Sequence, residues 1–578
     1  MVKEFQIKTP VLTALEGLTL ANPSVTLIKE DKIIFRKADS NKIALVSGGG
    51  AGHEPTHAGF VGKGALTAAI SGELFASPST KQILNGIKVV GKNSKGVLVI
   101  VKNYTGDVLH FGLSGERARA LGYDTEVVVI GDDVSVGRSK GGLVGRRALA
   151  GTLFVHKAVG AFAEYYDHTL DQAANLARAI NDNIVTIGAS LDHAKVPGRP
   201  FESNLTDNEL ELGMGIHNEP GVQKLSPIPD VENLVKIHLL PKLLDPNDKD
   251  RSFVPFDVND EVVLLINNLG GVSNLILSGI TQITTQLLRS EYNIKPVRVY
   301  QGTLMTASNG EGFSITLFNV TKTESKLSNY GFESVLNLLD APTDAPGWPV
   351  HKYSEDAPSF DPSDLAERDE DFPKIGLFDF EYFQKILKSG VDELIKQEPH
   401  ITKLDTLVGD GDCGTTLVSG GSGIVENFKS IPSSSVSEAL HKISEIVEDK
   451  MGGTSGGLYS IFLSGLSHGI INNGSSDQNI DNEILAKSLK VAQDTLYKYT
   501  SARVGDSTVI DALEPFITEF NKSLDFSKAV EAADKGARST GDFEAKFGRA
   551  SYVENSSNIA DPGAIGLVAF LRGVQRAL

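Results

Sequence analysis

The sequence predicts an α/β domain followed by a mainly helical one. Three observations carry that expectation: β-branched apolar runs ending in glycine-rich turns in the first half, a proline- and acid-rich stretch near residue 340, and helical periodicity beyond it. At 578 residues the chain is too long for one hydrophobic core, so separate folding units are expected.

In the first half the runs Ile43–Val46, Val97–Val101, Val127–Ile130, Val262–Ile266 and Ser314–Leu317 read as buried strands. Helix-like stretches such as Asp171–Ala179 lie between them, and several strands run directly into polar or glycine-rich sequence, where α/β folds place ligands. The segment Ala341–Pro373 has neither helical nor strand periodicity and reads as a linker, giving domains at 1–340 and 374–578. Beyond it, Phe383, Ile386, Leu387, Val391 and Leu394 fall near one helical face, and Ile484, Leu485, Leu489, Val491, Ala492 and Leu496 mark another helix.

The 73 acidic residues outnumber the 55 basic ones, and the formal net charge of -18 opposes attraction to a nucleic-acid backbone or an anionic membrane. The opening MVKEFQIKTP has no signal-like apolar stretch and no run approaches bilayer-crossing length, so a cytoplasmic setting is expected. The single cysteine, Cys413, forms no intrachain disulfide, which fits a reducing compartment.

The helical half contains the segment Leu404–Thr416, in which Asp405, Asp410 and Asp412 are interleaved with glycines. A glycine-permitted loop turns such carboxylates toward one point, and converging carboxylates need a cation to offset their repulsion. Hard oxygen donors suit Mg²⁺ or Ca²⁺; an EF-hand is opposed by Gly414 and Gly421, which stand where it needs oxygen ligands, so magnesium shared with phosphates fits better. A surface turn in which Asp and Gly only satisfy backbone geometry is the plain alternative.

Three further segments offer anion-binding groups. Met451–Gly457 supplies closely spaced backbone N–H groups, Asp561-Pro562-Gly563 reads as an N-cap with proline at the first helical position, and Arg549 adds a guanidinium. The sequence has no G-x-x-x-x-G-K-[ST] loop, so phosphate charge here would have to be met by metal on aspartates.

In the first half, Ser47–Pro55 places His53 after a glycine run, Val97–Val101 leads into Lys102–Asp107, and Gly213–Gly221 sets His217 among glycines. Any one of these histidines could be merely structural, and nothing completes a zinc pattern; their recurrence in Gly-His-Glu-Pro and His-Asn-Glu-Pro favours catalysis.

These motifs, with GRRALAGTLFVHK, NNLGG, ARVGDSTVIDAL and FGRASY in the same order, resemble the single-chain, ATP-using dihydroxyacetone (glycerone) kinases across almost the whole chain. The resemblance implies that His217 adds to the carbonyl carbon of dihydroxyacetone or glyceraldehyde as a covalent hemiaminal. It also implies that Gly50, Ala51, Gly52, His53, Lys102 and Asp107 surround the substrate, with His53 as general base and Asp107 orienting the hydroxyl. The second domain would be an antiparallel helical barrel with ATP at one end, Mg²⁺ on Asp405, Asp410 and Asp412, and the nucleotide near Cys413, Gly414, Thr415, Thr416, Gly453, Thr454, Thr500, Ser501, Arg549, Asp561, Pro562 and Gly563.

Many members carry histidine where this chain has Cys413. A cytoplasmic homodimer with a role in dihydroxyacetone and glycerol metabolism and detoxification is implied as well. The competing readings are a phosphoprotein-dependent relative, disfavoured by fusion of both domains; FMN cyclase activity on FAD; and a non-catalytic dihydroxyacetone-binding regulator, disfavoured because His53, His217 and the three aspartates are all present.

Overall fold

The structure is a computed structural model and describes every residue except 1–4, 6, 142–143, 197–200, 202, 328–329, 350–360, 362–371 and 547–558. The chain divides into two compact units, Met1–Pro358 and Ser359–Leu578.

The first unit contains two six-stranded sheets. Strands β1 (Thr26–Ile28), β2 (Ile33–Phe35), β3 (Ile43–Ala51), β4 (Ala68–Leu74), β5 (Gly96–Lys102) and β6 (Thr125–Ile130) form one, in the order β1-β2-β4-β3-β5-β6. Its inner strands β4, β3, β5 and β6 are parallel, and β1 and β2 pair antiparallel at one edge. The second sheet holds β7 (Ile184–Ser190), β8 (Leu210–Leu212), β9 (Gln223–Leu225), β10 (Val262–Asn268), β11 (Arg298–Gly302) and β12 (Gly312–Asn319), ordered β11-β10-β12-β7-β8-β9, with β10 and β11 its parallel pair.

Every residue of β3, β5, β10 and β12 is buried, which explains the unbroken apolar runs Ile43–Val46, Val97–Val101 and Val262–Ile266 within them. Helix Thr152–Tyr165 is buried from Thr152 to Ala163 and shares one core with Leu45, Leu98 and Ile100 of the first sheet and Val263, Leu265 and Phe318 of the second. A helix buried on all sides is interior, and this one ties the sheets together, its one lysine, Lys157, donating to the Leu338 carbonyl at 2.6 Å.

β3 continues through the glycine run that the sequence reading places in a loop. A Cβ at Gly48 would lie 2.2 Å from the Ile70 carbonyl oxygen, so the glycines here let β4 approach closely before the register shifts between Gly49 and Ala51.

The second unit is helical. Helices Phe380–Val408, Cys413–Glu426, Val436–Lys450, Gly453–Asn473, Asn482–Leu496, Ile510–Ser523, Phe526–Ser539 and Pro562–Ala577 each pack on the next, and the last packs on the first, closing a ring. Closure depends on small residues: a Cβ at Gly390 would meet the Phe570 ring at 2.7 Å, and one at Gly573 would meet the Ser389 carbonyl oxygen at 2.3 Å. The ring encloses a cavity of ≈ 320 Å³ lined by apolar side chains, among them Phe383, Leu417, Phe462 and Phe516. No described helix is long and apolar enough to cross a membrane.

The segment expected to be linker from Ala341 onward begins as part of the first unit. The Gly347 N–H donates to the Gly59 carbonyl at 2.7 Å, and Trp348 is 4% exposed, packed against Phe154 and Tyr300. Its prolines hide this from periodicity, but the apolar anchor is enough to hold the strand of chain down. At the other end, Ser437 Oγ donates to the Pro373 carbonyl and the Leu377 N–H to that of Gln478, so the chain is already part of the second unit there.

Trp348→Ala should lower unfolding free energy by ~3–5 kcal/mol in denaturant titration, as for other buried aromatic truncations. A change near zero would mean that Ala341–Pro349 is free linker.

Candidate active site

His53 stands at the exit of β3, and its ring is fully buried. Gly52 precedes it at φ +102, where a Cβ would come within 2.5 Å of the Phe75 ring; glycine is required there on both counts. His217 lies on the loop between β8 and β9, which Gly213 at φ +71 and Asn218 at φ +63 turn back on itself. The structure brings the two rings together, with His53 Nε2 and His217 Nε2 3.0 Å apart.

The far side of each ring is anchored. His53 Nδ1 lies 2.8 Å from the Thr306 carbonyl oxygen, and His217 Nδ1 lies 2.9 Å from Glu219 Oε1. A carbonyl and a carboxylate only accept, so both Nδ1 atoms carry hydrogen. The two Nε2 atoms therefore face each other across the contact.

Burial first, then the charge of Lys102, holds the pKa of His53 well below the usual imidazole value. Burial alone would raise the pKa of Glu219, but hydrogen bonds from the His217 side chain and backbone outweigh it and bring the value down to about 2. Glu219 thus supplies a fixed negative charge behind His217.

Aromatic rings fix the pair laterally. Phe75 stacks on His53 at 5.2 Å, while Phe75 and Tyr104 meet the His217 ring edge-on at 5.4 and 4.7 Å. Lys102, the last residue of β5, and Asp107, in the first turn of helix Thr105–Ala120, are both buried beside them. Burial pushes the lysine pKa down and that of the aspartate up, and each pulls the other back toward its charged form. Gly50 is needed for fit, since its Cβ would lie 2.7 Å from the Ala76 nitrogen, and Ala51 is the last residue of β3.

In the second unit Asp405 is buried near the end of helix Phe380–Val408, whereas Asp410 and Asp412 are exposed on the loop that follows. Ligand oxygens of the three lie within 4.8 Å of one another, and Gly411 at φ +79 makes the turn. The Cys413 N–H donates to Asp405 Oδ2 at 3.0 Å, fixing the start of helix Cys413–Glu426, which also carries Gly414, Thr415 and Thr416. Burial first, then the surrounding acids, pushes the Cys413 thiol up to about 12, so it stays protonated. Three hard carboxylates at this spacing fit Mg²⁺.

Asp561 caps helix Pro562–Ala577, accepting from the Ala564 N–H at 2.7 Å, with Pro562 at the first position and Gly563 after it. Gly453 begins its helix at φ +65 with open space beside it, followed by Thr454. Thr500 Oγ1 accepts from the Ala502 N–H at 3.1 Å in a loop where Ser501 is exposed. Arg549 lies outside the described residues.

The sequence reading misses Glu219, Thr306, Phe75 and Tyr104. The glutamate two residues after His217 was visible as an acid–imidazole pair; Thr306, 253 residues from His53, left no local signal.

A Dak1 domain model matches residues 16–347 and a DAK2 domain model residues 407–576. The chain is 62% identical to dihydroxyacetone kinase 1 of Saccharomyces cerevisiae over 100% of both chains. It is 36% identical to human triokinase/FMN cyclase over 98% of this chain and 97% of that one. Among solved structures it is similar to the dihydroxyacetone kinase of C. freundii in complex with AMP-PNP and Mg²⁺, with TM-score 0.67, 28% identity and 100% of both chains covered.

Gly52→Ala should destabilise the first unit by ~1–3 kcal/mol in denaturant unfolding, through the φ it needs and the Phe75 ring it would displace. An unchanged midpoint would refute that packing.

Proposed function

The chain belongs to the dihydroxyacetone kinase family, and from that premise we propose that it phosphorylates dihydroxyacetone, and glyceraldehyde, with ATP while holding the carbonyl compound on His217. The observation that carries this reading is the pair of imidazoles 3.0 Å apart, each anchored on its far side; in the proposed reaction they share one proton between their Nε2 atoms.

His217 Nε2 adds to the carbonyl carbon. A C–N bond forms, the C=O π bond breaks, and the shared proton goes to the new alkoxide oxygen. The substituted ring is left cationic against Glu219, so charge balances. His53 Nε2 then has a free lone pair with which to take the proton from the terminal hydroxyl, which Asp107 orients. Mg²⁺ on Asp405, Asp410 and Asp412 would offset the charge on the phosphate oxygens. Asp561 and the helix starts at Cys413 and Gly453 are the assigned nucleotide neighbourhood, with Thr500, Ser501 and Arg549 belonging to it by family resemblance. The reading includes the family's homodimer and cytoplasmic setting.

The test is ATP consumption with dihydroxyacetone, D-glyceraldehyde and glycerol side by side. Turnover is expected with the two carbonyl compounds and not with glycerol, which His217 cannot attack; comparable turnover of glycerol would overturn the capture step.

Glu219→Gln should raise KM for dihydroxyacetone by about 10-fold or more while KM for Mg-ATP stays put, because a charge-assisted hydrogen bond is lost behind the adduct. Asp410→Ala should do the reverse, abolishing Mg-ATP binding in calorimetry with the ketone adduct intact. Loss of both ligands in either variant would contradict the separation of roles.

A further inference from the structure

Beside the histidine pair, His57 Nε2, Lys102 Nζ and Asp107 Oδ1 are buried without a hydrogen-bond partner among the described residues. They come from separate segments and converge: a Cβ at Gly49 would lie 3.6 Å from His57 Nε2, 3.6 Å from Lys102 Cε and 3.3 Å from Asp107 Oδ2. Buried polar atoms left unsatisfied are costly, and a cluster of them calls for a ligand.

The tautomer of His57 follows from its surroundings. Ser47 Oγ donates its one hydrogen to the Ile100 carbonyl at 2.7 Å, so it accepts from His57 Nδ1–H at 3.2 Å. His57 Nε2 therefore presents a lone pair. Burial first, then the charge of Lys102, keeps the ring neutral by holding its pKa well below the usual value.

A hydroxyl group carries one donor and two acceptor lone pairs, and it is complemented by one acceptor beside one ammonium. We propose that His57 Nε2 and Lys102 Nζ bind the hydroxyl of the ketone arm that is not phosphorylated, which makes His57 a specificity-determining residue. The inference rests on the reading that the ketone adds to His217. The arm is assigned by elimination: in the proposed reaction His53 and Asp107 serve the hydroxyl that is phosphorylated, which leaves the buried His57 Nε2 and Lys102 Nζ for the other.

Hydroxyacetone separates the two arms, because its single hydroxyl must be the acceptor and a methyl group then fills the pocket. We would measure kcat/KM for ATP-dependent phosphorylation of dihydroxyacetone and hydroxyacetone in the wild type, His57→Leu and His57→Gln. The wild type should prefer dihydroxyacetone, and His57→Leu should shrink that preference about 10-fold through dihydroxyacetone alone, with partial rescue by glutamine, which keeps an acceptor.

Equal losses for both ketones, or no loss for either, would overturn the assignment. A wild type that phosphorylates neither ketone would instead overturn capture by His217. Should the leucine variant not fold, histidine-selective ¹⁵N spectra of the wild type decide: dihydroxyacetone shifts the His57 Nε2 resonance upfield if it hydrogen-bonds there, and an unmoved resonance refutes it.

Discussion

The contact between His53 Nε2 and His217 Nε2 can form only if two sheets are held in register. His53 leaves the first sheet, while His217 and Thr306 sit on connections of the second. Hydrogen bonds to backbone carbonyls lace these loops together: the Ser308 N–H donates to the Gly52 carbonyl at 2.6 Å, and Thr306 Oγ1 donates to that of Glu54 at 3.0 Å. Thr56 Oγ1 reaches the Leu304 carbonyl at 2.7 Å. Behind them the buried helix Thr152–Tyr165 sets the spacing, so the interior packing and the imidazole contact are parts of one constraint.

The His217 loop has a second support. Arg147 donates to the Gly213 carbonyl at 2.7 Å and to Ser135 Oγ at 2.9 Å, and it pairs with Asp133, whose side chain is fully buried. Such a pair adds little net stability, since desolvation offsets most of the attraction, but breaking it strands a charge. Its effect is on geometry: a Cβ at Gly215 would lie 2.7 Å from Arg147 Nη1, so guanidinium and loop backbone are in direct contact. The attack proposed for His217 on a carbonyl carbon would call for support of this kind.

Legibility in the sequence followed locality. The buried strands around Val97 and Val262 and the helix near Asp171 were visible because their apolar pattern is contained in a few residues. The carboxylates of Asp405, Asp410 and Asp412 were visible because eight positions hold them all. What was not visible depends on distant partners. The glycines after Val46 read as a loop because the Ile70 carbonyl that excludes a Cβ at Gly48 belongs to another strand. Trp348 read as linker because its partners, Phe154 and Tyr300, lie elsewhere in the chain. His57 drew no notice because its orphaned nitrogen is apparent only once Ser47 and Lys102 are placed around it.

A three-carbon ketone is a small ligand to hold by contact alone. Noncovalent ligands gain at most about 1.5 kcal/mol per non-hydrogen atom, and dihydroxyacetone has only about six. Glycerol offers the same terminal hydroxyls, so hydrogen bonds to those arms alone would discriminate weakly between them. In the proposed reaction a reversible C–N bond to His217 would sense the one group that differs, the carbonyl, and would fix the reacting arm without a large contact surface. Burial of His53 and the charge of Lys102 favour a neutral ring there, and the carboxylate of Glu219 anchors His217 at Nδ1, so both rings are held with Nε2 toward each other.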